Sequence, residues 1–180
     1  MSSWSKIARR IRVPLGFVFA AVFLWLAHPT VRSIIFGLCI AMVGLLVRTL
    51  ASGHVQKNEQ LATNGPYAYT RNPLYLGSLV IACGFTLASR SWIIAAIALI
   101  MVLVIYIPVI RSEEEFLRAR FPEFENYCRN VPRLFPRLKP NQGSAGSFSA
   151  HLYWKHREYN AAVGAALITV ALIVKMLWLR

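Results

Sequence analysis

Residues 91–110, SWIIAAIALIMVLVIYIPVI, decide the fold class of this chain. The 20 residues carry no charged side chain, and an α-helix needs about 20 apolar residues to cross the hydrocarbon core of a bilayer. Two of the four other apolar runs, at about 13–27 and 74–88, are short and must tilt or borrow flanking residues. We therefore predict an all-α, polytopic membrane protein with about five transmembrane helices, at about 13–28, 33–51, 73–89, 91–110 and 159–179.

The composition supports this fold class and excludes several others. Of the 180 residues, 57% are hydrophobic and 15% are charged, whereas charged residues make up about 25% of an average soluble domain. These values exclude a disordered chain, a coiled coil and an ordinary soluble enzyme. The length predicts a single membrane domain, 1–180, so any active site is built from helices and loops. The first apolar run is read as a retained helix, because no convincing cleavage site follows it.

Basic residues dominate the charge, and their distribution predicts the orientation. The net charge is +13, with seven acidic residues. An N-terminus in the cytoplasm places all seven acids on that side, together with every Lys and Arg except Arg32, Arg90, Lys175 and Arg180. The positive-inside rule then predicts a C-terminus outside. We expect the basic face to meet anionic lipid headgroups rather than nucleic acid. We expect the protein to lie in the bacterial inner membrane, with the endoplasmic reticulum as the open alternative.

The cysteines and histidines suggest no metal centre. The three Cys and four His residues are scattered, and none has the spacing of a metal site or of a disulfide framework. The polar, Gly- and Ser-rich stretch at 141–150 is predicted to be a flexible linker before the last helix.

Two polar segments, 52–73 and 111–140, hold nearly all the residues that could carry chemistry. The first contains the motif 64–77, NGPYAYTRNPLYLG, with three tyrosines, one Arg and one Asn. Pro73 is placed to begin a helix, whose N-terminus would suit a carboxylate or phosphate beside Arg71 and Asn72. The alternative is an interfacial aromatic belt with an arginine that reaches towards the headgroups.

The second segment opens with three consecutive carboxylates, 113–115, directly after the predicted fourth helix. Ser112 and Glu115 have the spacing of a capping box, so a structural role is open beside a functional one. Further on, five apolar residues recur at helical spacing, which predicts one face of a helix that is interrupted near Pro122; they are Leu117, Phe121, Phe124, Cys128 and Val131. We expect this face to pack over the predicted third and fourth helices or to lie in the membrane interface.

Together these motifs resemble the isoprenylcysteine carboxyl methyltransferase and phospholipid methyltransferase superfamily of integral membrane enzymes. The resemblance covers about residues 54–138. It rests on Gly-Pro-Tyr at 65–67, Arg-Asn-Pro-Leu-Tyr-Leu-Gly at 71–77 and the paired Glu113 and Glu114. The Phe- and Tyr-rich stretch 121–127 and Val-Pro-Arg at 131–133 complete it. Asn72 stands where this superfamily usually has His, which preserves hydrogen bonding but removes a titrating group.

The resemblance implies an S-adenosylmethionine-dependent methyltransferase. The methyl acceptor would be a lipid-like or prenylated amphiphile, methylated either on an isoprenylcysteine carboxylate or on a phospholipid or other amine. It implies catalytic roles for Arg71, Glu113 and Glu114. It also implies a cofactor site lined by Gln56, Leu61, Ala62, Tyr67, Asn72, Pro73, Leu74, Tyr75 and Glu113. Two alternatives stay open: an NADPH-dependent, sterol-reductase-like enzyme, and a non-enzymatic membrane interaction protein on a degenerate methyltransferase fold.

Overall fold

The computed structural model describes residues 3–56, 60–141 and 146–178, and within these ranges the regular structure is helical throughout. The α-helices are α1 (Ser3–Leu26), α2 (Val31–Ser52), α3 (Pro73–Ser89), α4 (Trp92–Met101), α5 (Ile107–Arg120), α6 (Phe124–Asn130), α7 (Ala150–Lys155) and α8 (Tyr159–Trp178). A 3₁₀ turn, Gly65–Ala68, precedes α3, and a π-helical turn, Val102–Tyr106, joins α4 to α5.

The long helices have the composition of membrane spans. Three are long and apolar enough to cross a bilayer: α2, the continuous helix Trp92–Arg120 and α8. Two shorter apolar helices, Pro14–Leu26 and Pro73–Ser89, lie at the positions of the two short runs. The all-α membrane fold is confirmed, with about five apolar helices as the approximate count.

Glycine residues bring α2 and α3 close together. A Cβ atom on Gly37 would collide with the backbone oxygen of Gly84, and one on Gly44 with that of Gly77. Small residues at both positions allow the two backbones to approach, the usual way in which membrane helices gain packing contacts. This contact sets the position of the first turn of α3, where the polar motif lies.

At the end remote from that motif, polar contacts tie the helices together. The backbone N–H of His28 donates to Ser89 O at 2.8 Å. Lys175 near the end of α8 donates through Nζ to the carbonyl oxygens of Leu24 (2.5 Å) and Trp25 (2.7 Å). The C-terminal ends of α1 and α8 therefore lie side by side, and the last turn of α1 has partners for two of its carbonyls.

The helix predicted to end at residue 110 continues to Arg120. The structure therefore corrects the capping-box alternative: Ser112 lies inside the helix, and its Oγ donates to Val109 O at 2.9 Å. The continuous helix supplies intrahelical partners for the backbone groups that a cap would have satisfied. A π turn lies just before Pro108, whose missing N–H interrupts the regular ladder. The predicted break near Pro122 is confirmed, since α5 ends at Arg120 and α6 begins at Phe124.

Candidate active site

The site is organised around one buried carboxylate, Glu114 of α5, whose side chain is 4% exposed. One carboxylate oxygen accepts from Arg71 Nε and from Asn72 Nδ2, each at 3.1 Å. The other accepts from Arg133 Nε at 2.9 Å and Nη2 at 2.7 Å. A buried charge is tolerable only with such partners, so Glu114 joins α5, the start of α3 and the segment after α6.

Backbone contacts hold the segment after α6 against the loop before α3. The N–H of Arg71 donates to Pro132 O at 2.9 Å. Thr70 Oγ1 lies 3.1 Å from the carbonyl oxygens of both Arg133 and Leu134, to which it donates. Thr70 is buried, and its hydroxyl bonds fix the course of an otherwise extended segment. A segment about 60 residues later in the chain therefore holds the polar groups of this loop in position.

An apolar cluster lies beneath these contacts. Phe124, Tyr127 and Val131 are buried, and four other residues pack against them: Leu61, Leu117, Phe121 and Cys128. The face predicted from the spacing of the apolar residues is thus packed, but the described members of this cluster include Leu61 of the loop before α3 and no residue of α3 or α4. Tyr127 adds a hydrogen bond from its hydroxyl to Tyr67 O at 2.6 Å, so α6 is tied to the 3₁₀ turn by polar as well as apolar contacts.

A cavity of about 470 Å³ opens beside the Glu114 cluster and is called here the helix-end cavity. Its lining includes all nine residues that the resemblance assigned to the cofactor, from Gln56 to Glu113, and also Arg71. Glu114 does not line it. Six further residues line the same cavity and were not singled out as candidates from the sequence: Val55, Gln60, Phe116, Leu117, Phe121 and Tyr127.

Glu113 faces this cavity, in contrast to its neighbour Glu114. Its Oε1 accepts a hydrogen bond of 2.8 Å from the hydroxyl of Tyr75, in the first turn of α3. Adjacent residues of an α-helix point about 100° apart, so the two carboxylates serve different surroundings. The Tyr75 ring meets Tyr106 edge-on, with ring centroids 6.1 Å apart. Tyr106 belongs to the π turn, which thus supports the wall of the cavity.

Burial reinforces the neutral forms of the phenols and of the thiol near the cavity. It raises the pKa of Tyr67 and of Tyr127 well above the ordinary value, and proximity of the two phenols adds to the shift at Tyr67. Burial also raises the pKa of the Cys128 thiol. Both phenols therefore remain protonated at neutral pH, and Cys128 remains a thiol rather than a reactive thiolate.

The contact between Arg133 and Glu114 is not predicted from the sequence. The hydrogen bonds to Glu114 raise the pKa of the Arg133 guanidinium, which stays charged. The sequence signal was present in Val-Pro-Arg at 131–133, which belongs to the family resemblance, but that motif does not indicate which residue the arginine pairs with. Among the residues that the structure describes, no group of three or more His, Cys, Asp or Glu side chains could hold a metal ion.

The protein is thus an all-helical membrane protein with a cavity at the ends of its helices, lined by both polar and apolar side chains. The family model for phospholipid methyltransferases matches residues 34–123, half of the chain. The chain belongs to this family, within the isoprenylcysteine carboxyl methyltransferase-like superfamily. The matched region runs from α2 into the turn after α5, so Arg133 and α8 lie outside it.

Two curated relatives are bacterial proteins named for metal resistance. The cobalt-zinc-cadmium resistance protein CzcN of Cupriavidus metallidurans is 34% identical over 143 residues, 74% of this chain and 65% of that protein. The nickel-cobalt-cadmium resistance protein NccN of Alcaligenes xylosoxydans xylosoxydans is 37% identical over 115 residues, 63% of this chain and 53% of that protein. The chain thus spans between half and two thirds of these relatives. No solved structure matches it significantly.

Proposed function

We propose that this protein is an S-adenosylmethionine-dependent methyltransferase that acts in the membrane on a lipid-like or prenylated amphiphile. The observation that carries the proposal is the helix-end cavity, which collects all nine cofactor candidates around one carboxylate, Glu113. These residues come from α3, α5 and the loop between α2 and α3. The family is one of membrane methyltransferases, which supports the reaction class.

The residues present fit the proposed cofactor. The cavity volume, about 470 Å³, lies within the range of roughly 300–1,000 Å³ for small-molecule sites. Glu113 would hold the ammonium group or a ribose hydroxyl, while the rings of Tyr67 and Tyr75 would face the sulfonium through cation–π contact. The N-terminus of α3 with Arg71 and Asn72 would favour the carboxylate. Leu61 and Leu117 offer apolar wall to the adenine ring.

When bound, S-adenosylmethionine supplies a methyl group on a sulfonium: the acceptor's lone pair forms the new bond to carbon, the C–S bond breaks, and a thioether leaves. The protein's own contribution is to orient the acceptor and exclude water. A carboxylate acceptor needs no base. For an amine acceptor, Glu113 could take up the proton that the nitrogen loses, and Tyr75 would hold that carboxylate in position through its 2.8 Å hydrogen bond.

The first experiment is calorimetric titration of the purified protein in detergent with S-adenosylmethionine and S-adenosylhomocysteine. We expect micromolar affinity, weakened at least about tenfold by Glu113→Gln, which removes a charged partner (about 1.4 kcal/mol). Glu125→Gln is the matched control, because that carboxylate pairs with Arg118 on the exposed surface and should leave binding unchanged. A folded wild type that binds neither ligand, or equal affinity in Glu113→Gln, would overturn the cofactor assignment.

The same titration separates the alternatives. A sterol-reductase-like enzyme would bind NADPH in place of S-adenosylmethionine, and a non-enzymatic interaction protein would bind neither. Incorporation of a radiolabelled methyl group into a membrane lipid extract would then test activity. We propose in addition that the helix-end cavity lies on the cytoplasmic side of the bacterial inner membrane, with the basic surface around it against anionic headgroups.

The names of the two relatives favour metal resistance as a biological setting. We propose that any such role of this protein operates through methyl transfer. Expression of wild type in a host sensitive to cobalt, zinc and cadmium should then raise tolerance, and Glu113→Gln should not. Equal protection by wild type and Glu113→Gln would show that metal tolerance does not depend on the helix-end cavity and would contradict this proposal.

A further inference from the structure

A second cavity, of about 580 Å³, lies between α1, α3 and α8 and is called here the α1–α8 cavity. Apolar side chains form most of its wall, among them Phe23 of α1, Phe85 of α3 and Ile168 of α8. Along α3 the lining runs from Ser78 to Thr86, which is about 12 Å at 1.5 Å per residue. The cavity therefore extends from the end of the bundle that carries the polar motif into its apolar middle.

Two glycines distinguish this cavity from the packed interior. A Cβ on Gly16 of α1 or on Gly164 of α8 would meet no atom within 4 Å, although both residues line the cavity. At Gly37 and Gly84, by contrast, a Cβ would collide with neighbouring backbone. The glycines of α2 and α3 therefore permit helix contact, whereas Gly16 and Gly164 leave open space.

The polar end of the cavity contains a largely buried ion pair. Arg48 Nε lies 2.5 Å from Glu158 Oε1, with the side chains 23% and 10% exposed. Arg48 Nη1 donates to Ser78 Oγ and, at 3.3 Å, to Leu74 O. Within the part of the chain that the structure describes, no hydrogen bond involves Nη2 of Arg48. An anionic ligand in the cavity would have these donors as candidate partners.

The charge at this end favours an anion. Arg157 lines the cavity beside Arg48 and Glu158, so two basic residues and one acidic residue lie at this end. Arg157 has φ 52°, a left-handed conformation that is uncommon for residues other than glycine. The residue lies in the turn between α7 and α8.

The two cavities are neighbours across the first turn of α3. Leu74 lines the helix-end cavity, and its carbonyl accepts from Arg48 of the α1–α8 cavity. Tyr75 lines the former and Tyr106 the latter, and their rings are in edge-on contact. A head group held at Arg48 would therefore lie close to the helix-end cavity, with its chain directed away from it.

We propose that the α1–α8 cavity binds an amphiphile: its hydrocarbon chain lies between α1, α3 and α8, and Arg48 and Arg157 hold its anionic head group, a carboxylate or a phosphate. The identification of this amphiphile as the methyl acceptor rests on the proposed function, but its binding does not. Of the two assigned residues, Arg157 lies outside the region that the family model matches and Arg48 lies within it.

The test uses the full chain in a non-ionic detergent and scintillation proximity with radiolabelled dodecyl phosphate. Unlabelled dodecanoate, dodecanol and inorganic phosphate compete, and they separate the contributions of chain and head. We expect dodecyl phosphate to bind at least about tenfold more tightly than dodecanol, and inorganic phosphate not to compete. If dodecanoate competes, the site accepts both carboxylate and phosphate head groups. If dodecanoate does not compete, the site is specific for phosphates. Equal binding of dodecanol, or competition by inorganic phosphate alone, would overturn the proposal.

Two adjacent alanines of α8 provide a matched pair of variants. Ala161 lines the cavity, whereas Ala162 is exposed and does not. Ala161→Leu should fill the space and weaken dodecyl phosphate binding about tenfold or more, and Ala162→Leu should leave it unchanged. Equal affinity in the two variants would refute the chain site. Binding of S-adenosylhomocysteine, measured in parallel, should be the same in both.

Arg157→Gln tests the head group without filling the cavity, since Arg157 is exposed. It should reduce the preference for dodecyl phosphate over dodecanol; an undiminished preference would overturn the role of Arg157. The parallel titration keeps the two proposals distinct. If the wild type binds the amphiphile as expected but not S-adenosylhomocysteine, the cofactor proposal fails and the amphiphile site stands.

Discussion

Glu113 and Glu114 show how two identical side chains, adjacent in sequence, acquire different roles. Glu114 has two arginines and an amide as partners and is almost fully buried, so it holds α5, the loop before α3 and the segment after α6 together. Glu113 has the hydroxyl of Tyr75 as its partner and lines the helix-end cavity. The helical rotation between neighbouring residues produces this division.

Glu114→Gln should destabilise the protein. The variant leaves Arg71 and Arg133 without their buried counter-charge, and breaking a buried ion pair costs about 3–5 kcal/mol. We expect a clear fall in melting temperature in detergent. Glu125→Gln breaks an exposed pair with Arg118 and should leave the melting temperature unchanged. Similar melting temperatures for both variants would contradict the structural role of Glu114.

The buried phenols predict a loss of stability in alkali. The pKa of Tyr67 and of Tyr127 is raised on folding by burial. Such a group favours the folded state fully below its unfolded pKa, 10.0, and this contribution is lost as the pH rises above it. The melting temperature should therefore fall above about pH 10, less steeply in Tyr127→Phe. An equal slope in wild type and variant would count against burial of this hydroxyl.

At the scale of the element, the sequence pattern predicts the wrong end for the helix expected at 91–110. Ser112 and Glu115 have the spacing of a capping box, which is a real local signal. The structure shows an uninterrupted helix to Arg120 instead. Polar composition ends the membrane-spanning part of the sequence but does not end the helix, because backbone hydrogen bonds continue regardless of which side chains meet water.

The contact between α2 and α3 predicts a severe effect of a small substitution. In Gly84→Ala the new Cβ would meet the backbone oxygen of Gly37, which cannot move without shifting α2. We expect a loss of about 1–3 kcal/mol, typical of overpacking, read as a lower melting temperature. Gly16→Ala, where a Cβ has open space, should be neutral or slightly stabilising. Equal tolerance of both changes would show that α2 and α3 are not in close contact.

At the scale of the whole molecule, the two ends of the bundle are chemically distinct. One end carries the Glu114 cluster, the helix-end cavity and the Arg48–Glu158 pair. The other end carries the turn from α1 to α2 and the contact of Lys175 with the end of α1. The positive-inside rule, applied to the basic residues along the chain, predicts that the first of these ends is cytoplasmic.

Cysteine labelling tests that orientation. In a variant whose three cysteines are replaced by alanine, Lys139→Cys and His28→Cys place single thiols at opposite ends. A membrane-impermeant maleimide added to intact cells should label the second and not the first, and should label both after lysis. The reverse pattern would invert the predicted topology.

For the candidate site, the sequence indicates which residues belong together, but it does not indicate the long-range contacts that hold them. The family resemblance, with its motifs around Tyr67, Pro73 and Glu113, supplies the cofactor candidates, and in the structure all of them line one cavity. The link from Glu114 to Arg133 joins positions 19 residues apart, across α6. No local pattern specifies such a link, because it depends on how α6 returns the chain to the loop before α3.

By itself, the sequence determined the membrane class, the positions of the apolar helices and the two polar segments that carry the candidate chemistry. Those features follow from local quantities: hydrophobicity over a helix length, charge distribution and motif spacing. Only the tertiary structure decided which of two adjacent carboxylates is buried and which faces the cavity, and that Arg48 pairs with Glu158 beside a second cavity. The reason is physical: burial and ion pairing depend on what other segments place nearby, over separations that no local pattern encodes.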